Sequence, residues 1–185
     1  VPSSQIELYS GVVFDPLDPD PELITLEDIA HALSNQCRFS GHTRTFLSVA
    51  EHSINVSYLV PEEDAVEAFM HDASEFALQD MASPLKASPA AEFYREYEAR
   101  LEAVLAARFG YRYPYPESVK RADKQMLATE RAMLLKPPSQ ATTELWEPWL
   151  GDIEVFPDHC WLVKGYSPHI AKTLFLYRAK ELGIQ

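Results

Sequence analysis

The stretch 65–78, AVEAFMHDASEFAL, limits what this chain can fold into more than any other. Its apolar residues run nearly all the way round a helix, the pattern of a segment buried on every side. Yet it carries His71, Asp72 and Glu75. Ionisable groups inside such a helix are costly unless they are paired or hold a metal. On an α-helix His71 and Asp72 lie ~100° apart, and both side chains can lean toward one point. Glu75, four residues after His71 and three after Asp72, falls on the same side. Taken alone, the doublet fits a satisfied core pair as well as it fits a ligand pair.

The preceding segment narrows the choice. Residues 46–60 have helical periodicity and carry His52, and Pro61 with Glu62, Glu63 and Asp64 ends that helix and opens the next. Two helices joined by so short a link pack antiparallel. The link is the midpoint between positions 52 and 71, so both histidines are expected at one height, ~15 Å from the turn. Two imidazoles and a carboxylate can then converge on one metal, and a fourth ligand must come from elsewhere. Asp123, between Lys120 and Lys124 on a later helix, is one candidate. A surface salt bridge is the plainer account of that residue taken alone.

Composition sets the outer limits. A chain of 185 residues, 46% of them hydrophobic, has room for the core of a single domain. It has no run of 18 apolar residues, so no membrane span is expected. No signal peptide is apparent, and two cysteines, Cys37 and Cys160, form neither a disulfide framework nor a zinc motif. A reducing, cytoplasmic setting is the simplest expectation. A formal net charge of −12 argues against a nucleic-acid polymer as partner, whereas small phosphate esters need only a local basic cluster.

In chain order, Ile6 to Tyr9, Ser10-Gly11 and Val12 to Phe14 predict a short hairpin within an N-terminal arm over 1–24. Thr25 with Asp28 predicts a helix N-cap, and that helix should end near Ser34. The helical core spans 25–135, with helices over 46–60, 62–78, 90–109 and 117–135. Pro84 begins a loop that runs to about Pro89, and Gly110 caps the fourth helix. The segment 136–185 is a C-terminal extension packed on the core. It holds one or two helical turns over 141–152, a short strand within 153–163 and a last helix from about 167 to 182. The expected fold is nearly all-α, a single bundle of six to seven helices with a small β-hairpin.

The ordered set of His52, His71-Asp72 and Asp123 resembles the HD-domain metal-dependent phosphohydrolases, named for their His-Asp doublet. The resemblance covers roughly 25–131. It is carried by LSNQCRFSGH at 33–42, VAEH at 49–52, HDASE at 71–75, Asp80 followed by SPLK at 83–86, and Asp123 followed by ATE at 128–130. These pieces are similar to the 5′-deoxynucleotidase branch, especially its prophage-type members. The resemblance implies His52, His71, Asp72 and Asp123 as metal ligands and Glu75 as the acid/base residue. Asp80 would lie at the substrate end. Arg38 would hold the phosphate or sugar, Lys86 and Lys120 would add positive charge, and Phe39 stands where better-known bacterial members have Trp. No histidine lies between His71 and Asp123, where two-metal relatives need more, so one ion is expected.

The chemistry of that set stands apart from the resemblance. Two His and two Asp leave one or two positions open on a divalent ion, and mixed N and O donors suit Mn, Fe, Co, Ni or Zn better than Ca. Such an ion brings water near its pKa at neutrality and offsets charge on phosphoryl oxygens. The leading expectation is a nucleotidase that releases phosphate from a nucleoside 5′-monophosphate, with deoxy forms first. A deoxynucleoside triphosphohydrolase is the enzyme alternative, since Lys86, Lys120 and Lys124 could serve a longer phosphate chain. A non-catalytic nucleotide-sensing module is the alternative of another class. The partners implied are a small nucleotide and, for a homo-oligomer, a second copy of the chain as a dimer.

Overall fold

The computed structural model describes residues 4–151, 153, 155 and 162–185. Strands β1 (Ile6–Glu7) and β2 (Val13–Phe14) pair antiparallel, Ile6 opposite Phe14 and Glu7 opposite Val13. The rest is helical: α1 (Leu26–Asn35), α2 (Val49–Val56), α3 (Ala65–Met70), α4 (Glu75–Leu78), α5 (Ser83–Lys86), α6 (Glu92–Phe109), α7 (Glu117–Leu134), α8 (Gln140–Leu150) and α9 (Pro168–Glu181). The chain is therefore nearly all-α with one small hairpin, as its periodicity predicts. No helix among the described residues is long and apolar enough to cross a membrane. The strand expected within 153–163 falls mainly on residues outside those described.

Local chemistry accounts for several helix ends. Thr25 accepts the Asp28 N–H at 3.1 Å, and its hydroxyl donates to the Asp28 carboxylate at 2.5 Å. Ser48 accepts the Glu51 N–H at 3.1 Å. Gly110 takes the left-handed conformation, φ +74, that closes α6. These caps each satisfy one of the orphan backbone groups at a helix end, typically worth ~1 kcal/mol.

Four expected segments differ, the first being the one or two turns expected over 141–152, which form the 11-residue helix α8. The helix over 46–60 is shorter, because Ser48 caps it late and it ends at Val56. Pro84 starts the single turn α5 where a loop was expected, since proline is tolerated at the first helical positions. Most consequentially, the buried helix over 62–78 is not continuous. The Ala68 carbonyl, which a continuing helix would bond from position 72, accepts from His71 Nδ1 at 2.8 Å. Beyond it the bonding tightens to three-residue steps, Ala73 N–H to Met70 O, Glu75 N–H to Asp72 O and Phe76 N–H to Ala73 O. His71 and Asp72 thus sit on a tight turn between α3 and α4.

The main core gathers Ile29 and Leu33 of α1, Phe69 and Met70 of α3, Leu101 and Leu105 of α6, and Phe175 of α9. Phe69 and Phe175 meet at 4.2 Å between ring centroids. A second cluster joins Val56 of α2 and Ala68 of α3 to Val119, Ala122 and Met126 of α7. Between these two clusters lie α2 and the 71–74 turn, which is why polar groups there are buried yet held on several sides.

Candidate metal centre

His52 on α2 has no exposed surface, and its ring centroid is 5.2 Å from that of His71. Each imidazole is held from behind through Nδ1. His71 Nδ1 donates to the Ala68 carbonyl, and His52 Nδ1 lies 2.7 Å from Glu130 Oε1. A backbone carbonyl can only accept, so the neutral His71 carries its proton on Nδ1 and turns its Nε2 lone pair inward. The Glu130 carboxylate sets His52 the same way.

The inward atoms converge. Asp72 Oδ2 lies 3.6 Å from His52 Nε2 and 3.3 Å from His71 Nε2. Asp123 Oδ1, from α7, lies 3.2 Å and 3.8 Å from the same two nitrogens. Both Nε2 atoms are buried without a hydrogen-bond partner. Buried polar atoms left without partners are rare, and two aimed at one point beside carboxylates are what a cation would satisfy. His52, His71 and Asp72 each offer a ligand atom within 4.8 Å of the others and could hold a metal ion.

Electrostatics agree with that fit. Burial opposes charge on both imidazoles, but the carboxylates of Glu130, Asp72 and Asp123 outweigh it and raise the pKa of each, that of His71 well above its ordinary value. Burial likewise opposes charge on Asp72 and Asp123, yet the two imidazoles hold both carboxylates below the usual range. The acids thus favour positive charge between the two imidazoles. A divalent ion would supply it, in competition with protons on the histidines.

Glu130 was not among the residues picked out from the sequence for this site. It is fully buried on α7 and also accepts from Arg38 Nε at 3.0 Å. The signal was its spacing, seven residues after Asp123 and so on the same helix face. Arg38 also reaches Asp72 Oδ2 from Nη1 at 3.4 Å. Burial disfavours its charge, but Glu130 and Asp72 raise its pKa further above the ordinary range.

Glu75 is buried, its Oε2 without a partner, and its pKa is pushed well up by burial and then by Asp72 and Asp80. Burial also raises Asp80. Gln36, another residue the pattern did not single out, holds this segment at both ends. Its amide donates to Glu75 O at 2.8 Å and accepts from Asp80 N–H at 3.1 Å. No spacing rule points to it, because the bond crosses 39 and 44 residues of chain.

Beyond Arg38 the backbone is strained. Phe39 and Ser40 take φ of +53 and +50, which costs side-chain-bearing residues about 1–3 kcal/mol each. The loop is pinned around them: Arg38 N–H donates to Leu47 O at 2.9 Å, His42 N–H to Phe39 O at 2.9 Å, and Arg44 N–H to Leu134 O at 2.9 Å. The strain places Phe39 in the wall of a cavity of about 310 Å³. Arg38, His42 and Asp80 also line it, together with Leu145, Trp146 and Trp149 of α8.

The two candidate lysines differ. Lys120 is exposed and pairs with Glu117 at 3.3 Å, outside the cavity. Lys86 pairs with Glu98 at 2.5 Å and lines a second hollow with His71, Asp72 and Glu102, so it lies beside the doublet. His31 stacks on Tyr9 at 3.8 Å, far in function from the cluster. His159 lies outside the described residues.

The loop after the second cluster braces α2 next to His52. Glu51 accepts three backbone N–H groups, from Lys164 at 2.6 Å, Gly165 at 3.0 Å and Tyr166 at 2.8 Å. Gly165 has φ +68, and a Cβ there would sit 2.9 Å from Phe46 O, so glycine is what lets the loop close on α2.

Searched against models of known protein families, the chain matches none. It is 44% identical over 130 residues to the uncharacterized protein YfdR of Escherichia coli K12, covering 69% of this chain and 71% of that one. It is also 40% identical over 126 residues to an uncharacterized protein of Rhodobacter capsulatus, covering 63% of this chain and 64% of that one. With identity at that level across more than two thirds of the Escherichia coli protein, the chain belongs to the YfdR family.

Proposed function

We propose that the protein is an HD-type, metal-dependent phosphohydrolase that converts a nucleoside 5′-monophosphate, deoxy forms first, to nucleoside and phosphate. One observation carries the reading. Two imidazole Nε2 atoms, each fixed from behind, face one another without partners between the carboxylates of Asp72 and Asp123. His52, His71, Asp72 and Asp123 would hold a divalent transition ion, with Mn, Fe, Co, Ni and Zn the candidates. When bound, such an ion supplies Lewis-acid activation of water and of the phosphoryl group.

The remaining residues have roles that their surroundings support. Of the five N–H donors of Arg38, one goes to Glu130 and one to Asp72, which orients the guanidinium and leaves three for phosphate oxygens. Glu75, its pKa raised by burial, holds a proton more readily than a free carboxyl; it can give that proton to the departing 5′-oxygen, and the carboxylate so formed can take the proton that the attacking water loses. Asp80 lines the cavity together with Arg38 and can hold a sugar hydroxyl.

Charge favours a monophosphate over a triphosphate. Among the described lining residues Arg38 is the one permanent cation, and Lys120 and Lys86 are committed to Glu117 and Glu98. A triphosphate would bring several further charges beside Asp80, with no second permanent cation among the described residues that line the cavity. The test is a panel of NMPs, dNMPs and dNTPs with each added metal, scored for phosphate against triphosphate. Phosphate from dNMPs with little dNTP turnover is expected. Intact triphosphate from dATP would move the reading to a triphosphohydrolase, and binding without turnover of any to a sensing module.

A further inference from the structure

An eleven-residue helix seldom holds its shape in water without packing, because helix stability in proteins comes mostly from a buried apolar face. Helix α8 has no fully buried residue, although it carries Leu145, Trp146 and Trp149. These three, at i, i+1 and i+4, share a face, and that face turns onto the cavity beside Arg38. Among the described residues, few contacts hold the helix there. The Trp146 ring lies 6.3 Å from that of Phe39, tilted by 46°. The Arg131 guanidinium stands 5.0 Å from the Trp146 ring, and its Nη2 donates weakly to Thr142 O at 3.5 Å.

We infer that this cavity seats the planar ring of a nucleobase, that Trp146 and Trp149 are its stacking wall, and that the ligand completes the packing of α8. The inference rests on the nucleotide reading above and adds how the base is held. The cavity is lined by polar Arg38 and Asp80 and by aromatic Phe39, Trp146 and Trp149, and Arg38 ties it to the His-Asp cluster through Asp72 at 3.4 Å. A ligand with an anionic group and a flat ring therefore fits in one direction. At about 310 Å³ the space is at the small end of ligand pockets, suited to one nucleoside-sized body. Phe39, held by its left-handed backbone, lines the same cavity next to Trp146. Stacking accepts any base, because every base has a π-face, so the site should tell a base from no base better than one base from another.

The test separates the ring from the phosphate. Deoxyadenosine and thymidine, which lack phosphate, and 2-deoxyribose 5-phosphate, which lacks a base, are titrated into wild type, Trp146→Leu, Trp146→Phe and Trp149→Leu. Tryptophan fluorescence and calorimetry are the readouts, with melting temperatures confirming that each variant is folded. Both nucleosides should bind wild type and quench fluorescence. Trp146→Leu should weaken them roughly 5- to 150-fold, the usual size of losing one stacked aromatic, and Trp146→Phe far less. Binding of 2-deoxyribose 5-phosphate should not change. In turnover, the same factor should fall on KM for a dNMP and leave kcat. If a folded Trp146→Leu binds nucleosides as wild type does, or loses base-bearing and base-free ligands equally, the inference is overturned. Nucleoside binding that depends on Trp146 in a protein that hydrolyses no nucleotide would keep the ring site and sink the phosphohydrolase reading. Turnover indifferent to Trp146 would do the reverse.

Discussion

At the His-Asp end of the site both histidines and Arg38 are held from a second direction, whereas at the ring end one wall is a helix with no fully buried residue. His52 is fixed by Glu130, His71 by the Ala68 carbonyl, and Arg38 by Glu130 and Asp72. Among the described residues, helix α8 leans on a tilted ring pair and one guanidinium. The difference follows the work proposed for each end. Ligand atoms must sit within fractions of an ångström, so they are placed on packed elements with supporting bonds. A ring that stacks on any base tolerates a looser wall, and a loose wall can admit and release it.

The contrast is broken most directly at the ligands. His52→Ala, His71→Ala or Asp123→Ala should each lose the bound ion and essentially all activity, with metal content read by elemental analysis. An Asp123→Ala protein with full stoichiometry and activity would remove Asp123 from the ligand set and leave the cluster of His52, His71 and Asp72 to hold the ion with fewer protein ligands.

Glu75→Gln tests whether the supported end also carries the proton. Its kcat should fall ~10²–10⁴-fold while metal content and melting temperature stay near wild type. Early melting with normal turnover of the folded fraction would make Glu75 structural and turn attention to Asp80.

Glu130→Gln sharpens the claim about support from behind. It leaves the inward atoms in place but weakens the bonds to His52 Nδ1 and Arg38 Nε, so metal affinity should fall ~10–100-fold in a folded protein. Unchanged affinity would mean that packing alone orients His52.

Hydrogen exchange should show the same contrast without any substitution. Amides of α8 should exchange through local opening, while those of α2 and α3 wait for far rarer events. Equal protection would show that α8 is tied down as firmly as the core.

The smallest effect concerns Glu102, which is buried beside the 71–74 turn and accepts from Ser74 at 2.6 Å and from Tyr115. Burial pushes its pKa from 4.5 up to about 8. The folded protein thus keeps a proton that the unfolded chain has released. That contribution to stability is complete below pH 4.5 and is lost as pH rises to about 8. Glu102→Gln should flatten the fall in melting temperature across that window, measured at pH 5 and pH 8.5 in metal-free protein.

The sequence by itself determined the helices, their caps and the meeting of His52 with His71-Asp72, because hydrophobic period, capping residues and chain direction act over short distances. Gly110 and Thr25 were legible for that reason, and so was the hairpin. Glu130 was half legible, as the position seven after Asp123. Only the tertiary structure decided that the doublet sits on a turn, since the competing bond from His71 to Ala68 cannot be told from an ordinary helix by pattern. It alone brought Gln36 to the 75–80 segment, pinned Phe39 in a left-handed conformation and set α8 over the cavity. Each of these depends on partners far apart in the chain, whose proximity is settled by how whole helices pack, and no local spacing encodes that.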